Sequence, residues 1–309
     1  MCIDIIMSYI NSRGFYYLCS LRNSKPQSSS ESLDIDRYLR EHKDQIVYVC
    51  NTAIRSFFYN VVPYMTKPFV LVSGDADHAM PFDILSHSEF QTFIQNPLLC
   101  HWFCQNLMVT HPKLTHLPIG LDYHTLEGHI NSRHPWGIGA TALEQEEVLK
   151  RIASSAAPLQ ERKRLCYSNF HHAAFGINLR GDRQEALAKL PTELVFYDDA
   201  YRGREETWAK QSQYAFVLSP RGGGYDCHRT WEALLLGSIP IVKSSGLDPL
   251  YEGLPVLIVR EWSDITEDLL RKTVEDFRSR PFALEKLDLS YWRYEIYRKI
   301  ETEIRNREG

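Results

Sequence analysis

The 309-residue chain has no CxxC pair, and its seven cysteines are scattered and odd in number. A zinc ribbon or a dithiol redox centre is therefore not expected, and free thiols point to a reducing compartment. No Asn-x-Ser/Thr acceptor site is present, in keeping with that. No apolar run reaches the roughly 18 residues that a membrane span requires. Asp4 interrupts the apolar start and no basic stretch precedes it, so no secretory leader is expected and the cytoplasm is the expected location. A net charge of −4 gives no excess of cations for a nucleic-acid partner. HxH and HExxH patterns are missing, so the many histidines read as isolated loop residues rather than a metal cluster. The GxGxxG spacing of a dinucleotide fold and any internal repeat are missing too.

What is present is an ordinary globular composition, 44% hydrophobic and 24% charged, long enough for two domains. Aromatic residues make up 12%. Sugar-binding clefts use such rings, although most of them should fill the core. Short apolar runs alternate with helix-like segments from Gln45 to the end. That alternation predicts α/β architecture with parallel sheets and helical crossovers. Strands are expected at Phe15–Leu21, Gln45–Cys50, Pro68–Ser73, Leu99–Phe103 and Leu114–Leu117. Leu121–Gly139 reads as a long loop, and Thr141 with Glu144 as the capping box of a helix. Further strands are expected at Arg164–Ser168, Leu194–Tyr197, Tyr214–Leu218, Ile239–Val242 and Val256–Ile258. One helix is expected over Ser263–Arg278.

The polar stretch Ala156–Lys163 is the expected boundary. It gives residues 1–158 as an acceptor-side α/β domain, 159–285 as a nucleotide-sugar-binding domain and 286–309 as a terminal helix. The architecture predicted is two Rossmann-like domains facing a cleft. Ligands in such sheets bind at the carboxyl ends of strands. The loops Gly74–Phe82, Asn169–Arg180 and Pro220–Asp226 are therefore expected around one crevice.

The most specific segment is Tyr214–Val242, an apolar run, a glycine-rich loop, an amphipathic stretch and a second apolar run. A strand–loop–helix unit of this kind sets an anion at a helix N-terminus. Arg221 and Arg229 are the candidate cations for a diphosphate. Gly222, Gly223 and Gly224 let the backbone approach it closely, beside Ser219. Glu232 lies three residues beyond Arg229 on the same helix face, and its two oxygens suit the hydroxyls of a ribose.

The run SPRGGGYDCHRTWEALLLGSIPIV, with the LDPLYEGLPVLIVREW that follows, resembles the carboxyl-terminal signature of exostosin-like glycosyltransferases. The resemblance covers Tyr214–Trp262 and is loose elsewhere. It implies the GT-B type of fold, a nucleotide sugar, usually uridine-linked, as donor, a glycan hydroxyl as acceptor, and inversion at the anomeric carbon. No cofactor beyond the donor is implied. By that likeness Arg221, Arg229 and Glu232 are donor-site residues. The short chain looks more like soluble members from large algal viruses than like the membrane-anchored animal exostosins, and that likeness implies UDP-xylose as donor and the host-cell cytoplasm as location. A noncatalytic glycan-binding module that keeps the fold is the alternative.

An inverting transfer needs a base for the acceptor hydroxyl. The loop Ser73–Asp83 follows a strand and offers Asp75, Asp77 and His78, with Asp75 placed first because it closes the strand. The same loop spells Asp-Ala-Asp, a pair that could hold a divalent metal on a diphosphate, though no metal is favoured. Asp122 and His124 are candidates for the acceptor side. Asn169, His171 and Arg180 are candidates for the donor phosphates, and Tyr197–Tyr201 for the nucleobase.

Overall fold

A computed structural model describes residues 7–40, 46–170, 181–200 and 202–308. The first stretch of elements is α1 (Ser12–Leu18), α2 (Ile35–Arg40), β1 (Ile46–Cys50), α3 (Ile54–Asn60), β2 (Phe69–Gly74), α4 (His87–Ile94), β3 (Leu99–Gln105) and β4 (Leu114–Leu117). Next come α5 (His124–Glu127), β5 (Arg133–His134), β6 (Gly137–Ile138), α6 (Ala142–Ser155), β7 (Lys163–Ser168), α7 (Asp182–Lys189), β8 (Val195–Tyr197) and α8 (Arg204–Gln211). The last are β9 (Tyr214–Leu218), α9 (His228–Leu235), β10 (Ile239–Lys243), β11 (Leu257–Val259), α10 (Glu267–Ser279) and α11 (Leu289–Glu308). No helix among the described residues is long and apolar enough to cross a membrane.

The chain forms two compact units. One comprises residues 1–119, 224–226 and 288–309; the other comprises 120–223 and 227–287. The division therefore falls at 119/120, not at the polar stretch 156–163 where the sequence suggested it. The reason is packing: α6, which precedes that stretch, lies against α8 of the second unit. The terminal helix α11 packs on β1, β2 and β3 of the first unit.

The first unit holds a four-stranded parallel sheet in the order β1-β2-β3-β4. Its strands are apolar on both faces, as expected when helices cover both. Val47, Val49, Leu71 and Trp102 form one core with Phe57 of α3 and with Phe90 and Phe93 of α4. Trp292 of α11 meets Phe15 of α1, and Tyr48 of β1 meets Tyr16. Here the structure differs from the sequence reading. Phe15–Leu21 is not a strand; Asn11 caps a helix by accepting the Gly14 N–H at 2.7 Å, and Phe15 and Tyr16 are buried. Only Leu21 reaches the sheet, as a parallel bridge to Val47.

The second unit holds a five-stranded parallel sheet in the order β11-β10-β9-β7-β8. Cys166, Phe216, Leu218, Ile239 and Ile241 pack with α7 and α10 through Ala186, Leu270 and Val274. Tyr167, Tyr214 and Val217 pack with Ala233 of α9. From β7 the chain passes to β8 on one side, then returns to β9 on the other. That reversal is a topological switch point at the carboxyl ends of β7 and β9, the place where ligands bind in open parallel sheets. Both units are thus parallel, Rossmann-like α/β sheets, with a C-terminal helix at the end of the chain.

Two smaller differences concern the second unit. Leu121–Gly139 is not a plain loop, since it contains α5 and the two-residue pair β5–β6. The helix expected over Ser263–Arg278 starts later, at Glu267. Thr266 caps it by accepting the Leu269 N–H, while residues 262–264 form a separate 3₁₀ turn.

Candidate functional site

The switch point of the second sheet is flanked by Ser168 at the end of β7 and Ser219 after β9. Ser219 is buried and its hydroxyl pairs with Thr230 at 2.8 Å, tying the strand end to the first turn of α9. Its N–H donates to the Ile241 carbonyl. Ser219 is thereby a brace for the loop. Ser168 is fully buried, and its hydroxyl has no hydrogen-bond partner among the described residues.

The loop between β9 and α9 is fixed from α7. Asp182, buried at the start of that helix, accepts the Arg221 N–H at 2.8 Å with one oxygen and the Trp262 indole N–H at 2.8 Å with the other. Gly181 precedes it at φ 71°, a left-handed conformation that suits glycine. Arg183 follows and reaches over Gly222: a Cβ built on Gly222 would lie 2.8 Å from Arg183 Nη2. The guanidinium groups of Arg183 and Arg229 both lie over the Phe170 ring, at 6.0 and 5.6 Å from its centroid.

Arg183, Arg229 and Gly222 thus converge where the loop enters α9. Arg229 Nη1 is enclosed and has no hydrogen-bond partner among the described residues. Burial, with the Arg183 charge adding to it, lowers the Arg229 guanidinium below its ordinary value, against the opposing pull of Cys227 and Glu232. Two like charges held together beside a helix N-terminus favour an anion between them. Both oxygens of Asp182 are already spent on N–H donors.

Of the residues the sequence singled out, Arg221, Gly222, Gly223, Arg229 and Glu232 lie in this second unit, with Asn169 just past β7. His171, Arg180 and Tyr201 lie outside the described residues. Arg183 was missed. The signal available for it was position: it lies in the first turn of the helix next in sequence after a switch-point strand. Asp198, after β8, accepts from the Tyr167 hydroxyl at 3.0 Å and from Arg202 at 2.9 Å.

Asp122 and His124 group with the second unit too, not with the first sheet as the sequence suggested. Asp122 is buried and accepts the Thr125 N–H at 3.0 Å and the Thr125 hydroxyl at 2.7 Å. His124 Nδ1 lies 3.0 Å from the carboxylate and Arg204 3.6 Å from it. Burial works to raise this carboxyl, but His228, His124, Arg204 and Thr125 outweigh it and hold it at about 2. His228, the first residue of α9, has its Nδ1 2.7 Å from the Gly120 carbonyl.

The loop after β2 belongs to the first unit. Asp75 is buried in a left-handed conformation, φ 63°. One carboxylate oxygen pairs with Arg13 and the other accepts from Ser28 at 3.1 Å. Its N–H donates to Gln105 Oε1 at 2.7 Å, and its carbonyl accepts from Ser29. Asp75 therefore clamps the serine-rich segment onto the sheet. Asp77 is exposed and His78 half-buried; His78 Nδ1 is enclosed with no partner among the described residues. In the same unit Asn106 accepts the Asp226 N–H at 2.8 Å, and Asp226 accepts the Ile119 N–H at 2.7 Å. Among the described residues, no group of three or more His, Cys, Asp or Glu could hold a metal ion.

No protein-family model matches the chain, and no curated protein matches it. Among solved structures it is similar to an α,α-trehalose-phosphate synthase (UDP-forming) from Burkholderia xenovorans in complex with glucose-6-phosphate. The match has 12% identity, a TM-score of 0.34, and covers 89% of this chain and 79% of that chain. At that distance the likeness says nothing about this chain's substrate or chemistry.

Proposed function

We propose that the chain is an inverting glycosyltransferase. Its second unit binds a uridine diphosphate sugar, and the sugar passes to a hydroxyl of a glycan. The observation that carries this reading is the Arg183–Arg229 pair over Phe170, beside Gly222 and the start of α9. Fixed guanidinium groups and helix N–H groups stabilise the charge that develops on a departing diphosphate. Glu232, on the next turn of α9, is assigned to the ribose. UDP-xylose is the first donor to try, on the sequence likeness alone.

The base for the acceptor hydroxyl is assigned to the loop Asp75–His78, with Asp77 and His78 now ahead of Asp75. Both oxygens of Asp75 are occupied by Arg13 and Ser28. The same occupancy weighs against Asp75 and Asp77 as a metal pair.

Ligand-observed NMR with UDP-xylose, UDP-glucose and UDP-N-acetylglucosamine, with and without EDTA, tests the reading. One uridine sugar should bind in both conditions. Replacing Arg183 and Arg229 together by Ala should weaken it by more than about 100-fold, since each charge-assisted bond contributes about 1.5–3 kcal/mol. Binding lost with EDTA would restore the metal reading. A folded protein that binds none of the donors would defeat the transferase and favour the glycan-binding module.

A further inference from the structure

The segment between β4 and α6 is rich in histidine and aromatic residues, and the Arg183–Arg229 cluster uses none of it. Its folded form presents a tryptophan. The other five tryptophans of the chain, Trp102, Trp208, Trp231, Trp262 and Trp292, are buried, whereas Trp136 is 37% exposed. Trp136 lies in the turn between β5 and β6, and it is held in place. Its carbonyl accepts the Arg204 N–H at 2.7 Å, and the Arg204 guanidinium lies 5.0 Å from the centroid of its ring. The Arg204 side chain is only 8% exposed and is itself anchored, donating to the Asp122 carbonyl and, at 2.6 Å, to Gln145 Oε1. A surface ring that is already fixed loses little freedom when a ligand covers it.

Two imidazoles stand beside it. The His134 ring is 5.1 Å from the Trp136 ring and 4.8 Å from the His129 ring, centroid to centroid. Gly139 lets the chain after β6 close on His129: a Cβ there would lie 1.9 Å from the His129 carbonyl oxygen. The backbone fixes opposite tautomers in the two rings. The Trp136 N–H donates to His134 Nδ1 at 3.2 Å, so that ring is neutral and carries its proton on Nε2. His129 Nδ1 lies 2.7 Å from the Thr125 carbonyl, which only accepts, so Nδ1 carries the proton and Nε2 of the neutral ring is an acceptor. Neither Nε2 is enclosed or hydrogen-bonded among the described residues.

An aromatic ring, an uncharged donor and an uncharged acceptor thus lie side by side. This set matches a neutral sugar, whose C–H face covers an indole and whose hydroxyls both donate and accept. On the reading that the chain handles a glycan, we propose that Trp136, His134 and His129 form a subsite for a neutral sugar residue of the acceptor. Trp136 stacks on the sugar, His134 Nε2–H donates to one hydroxyl, and His129 Nε2 accepts from a second.

The test uses the full chain at about pH 8, above the ordinary imidazole range, with cellotetraose, xylotetraose and mannotetraose as probes and no nucleotide. Trp136 is the exposed indole, so acrylamide quenching of tryptophan fluorescence reports on it. At least one tetrasaccharide should bind, seen by ligand-observed NMR, and should shield Trp136 from the quencher. Trp136→Ala should weaken that binding about tenfold or more, and Trp136→Phe should restore part of it. Asn keeps a polar atom near the Nδ1 position and has none at Nε2. His134→Asn and His129→Asn should therefore each weaken binding about fivefold, with unfolding midpoints near that of the parent.

Failure of all three tetrasaccharides to bind, or binding that Trp136→Ala leaves unchanged, would overturn the subsite. The donor reading would still stand or fall by the uridine sugars alone. Trp136 shielded by raising the protein concentration alone would show that this patch, with exposed Ile130 and Ile138, joins two copies of the chain, and would overturn the subsite as well. Glycan binding at Trp136 in protein that binds no uridine sugar would uphold the subsite and defeat the transferase.

Discussion

The carboxyl ends of the two parallel sheets are built in opposite ways. In the first unit the strands follow one another in order, so the described sheet has no point where the chain reverses direction across it. Its carboxyl end is closed by side chains. Asp75 is matched to Arg13 and Ser28, Gln105 takes the Asp75 N–H, and Asn106 bonds to Ala76 and Asp226. In the second unit the order reverses at β7, and the carboxyl end gathers guanidinium groups. Its carboxylates go elsewhere: Asp182 to backbone and indole N–H donors, Asp198 to Tyr167 and Arg202. One end ties its carboxylate and amides largely to one another, with His78 Nδ1 and Gln105 Nε2 left over among the described residues, and the other brings two guanidinium groups over one ring. The same α/β frame thus carries a carboxylate-centred network in one unit and a guanidinium cluster in the other.

The sharpest way to break this contrast is to disturb the closed end. Asp75→Ala leaves Arg13 without its carboxylate at a site where Asp75 is almost fully buried. Breaking such a pair from one side costs about 3–5 kcal/mol. Thermal or urea unfolding should show that loss, and Arg13→Ala should show a similar one. A stability within about 0.5 kcal/mol of the parent in both variants would mean the pair is not structural. Asp75 would then return to the head of the base candidates.

A second test uses pH, because the two units respond to acid in different windows. His101 in β3 is buried and bonded to the Thr115 hydroxyl at 2.7 Å. Burial, with Lys299, Arg298 and His111 adding to it, pushes its pKa down to about 3 from 6.5. The unfolded chain therefore binds a proton that the folded chain refuses between these values, so stability falls as pH drops below about 6.5. At pH 5 the loss is about 2 kcal/mol, from about 1.5 units at 1.36 kcal/mol each. Asp122 in the second unit has its pKa lowered to about 2, so the stability it contributes is present above about pH 4 and goes only as pH falls toward 2. His101→Gln should flatten the dependence between pH 6.5 and 5, read as unfolding midpoints. An unchanged slope would mean His101 is charged in the native state.

Much of this was legible in the sequence, and what was not has physical causes. The strands β9 and β10 on either side of α9 were read to within a residue, because their apolar runs are local signals. The capping box of α6 was local too. Phe15–Leu21 was misread because its aromatic run looks like a strand, while Asn11 and packing against Trp292 and Tyr48 make it helical. The unit boundary was misplaced because a polar stretch marks exposure, not which sheet a neighbouring helix packs on. At the site, the glycine loop and Arg229 could be found by spacing. Arg183 could not, since its approach to Gly222 depends on how α7 is anchored through Asp182 and Trp262. Asp75 was favoured as a base because it ends a strand. Its engagement by Arg13, 62 residues away in the chain, is a tertiary fact.

The gentlest perturbation bears on the open end. Gly222→Ala adds one methyl group, and its Cβ would fall 2.8 Å from Arg183 Nη2. The obstructing atom is the far end of a flexible side chain, so the guanidinium can swing aside and the fold should lose little. Unfolding midpoints should stay near those of the parent. The displaced Arg183 would, however, no longer sit beside Arg229 over Phe170. UDP affinity should then fall about tenfold, which is about 1.4 kcal/mol. In an Arg183→Ala background the same glycine change should cost almost nothing further, because the group it displaces is already gone. Additive losses in the double variant would show that Gly222 acts on the ligand directly, through the backbone, rather than by making room for Arg183.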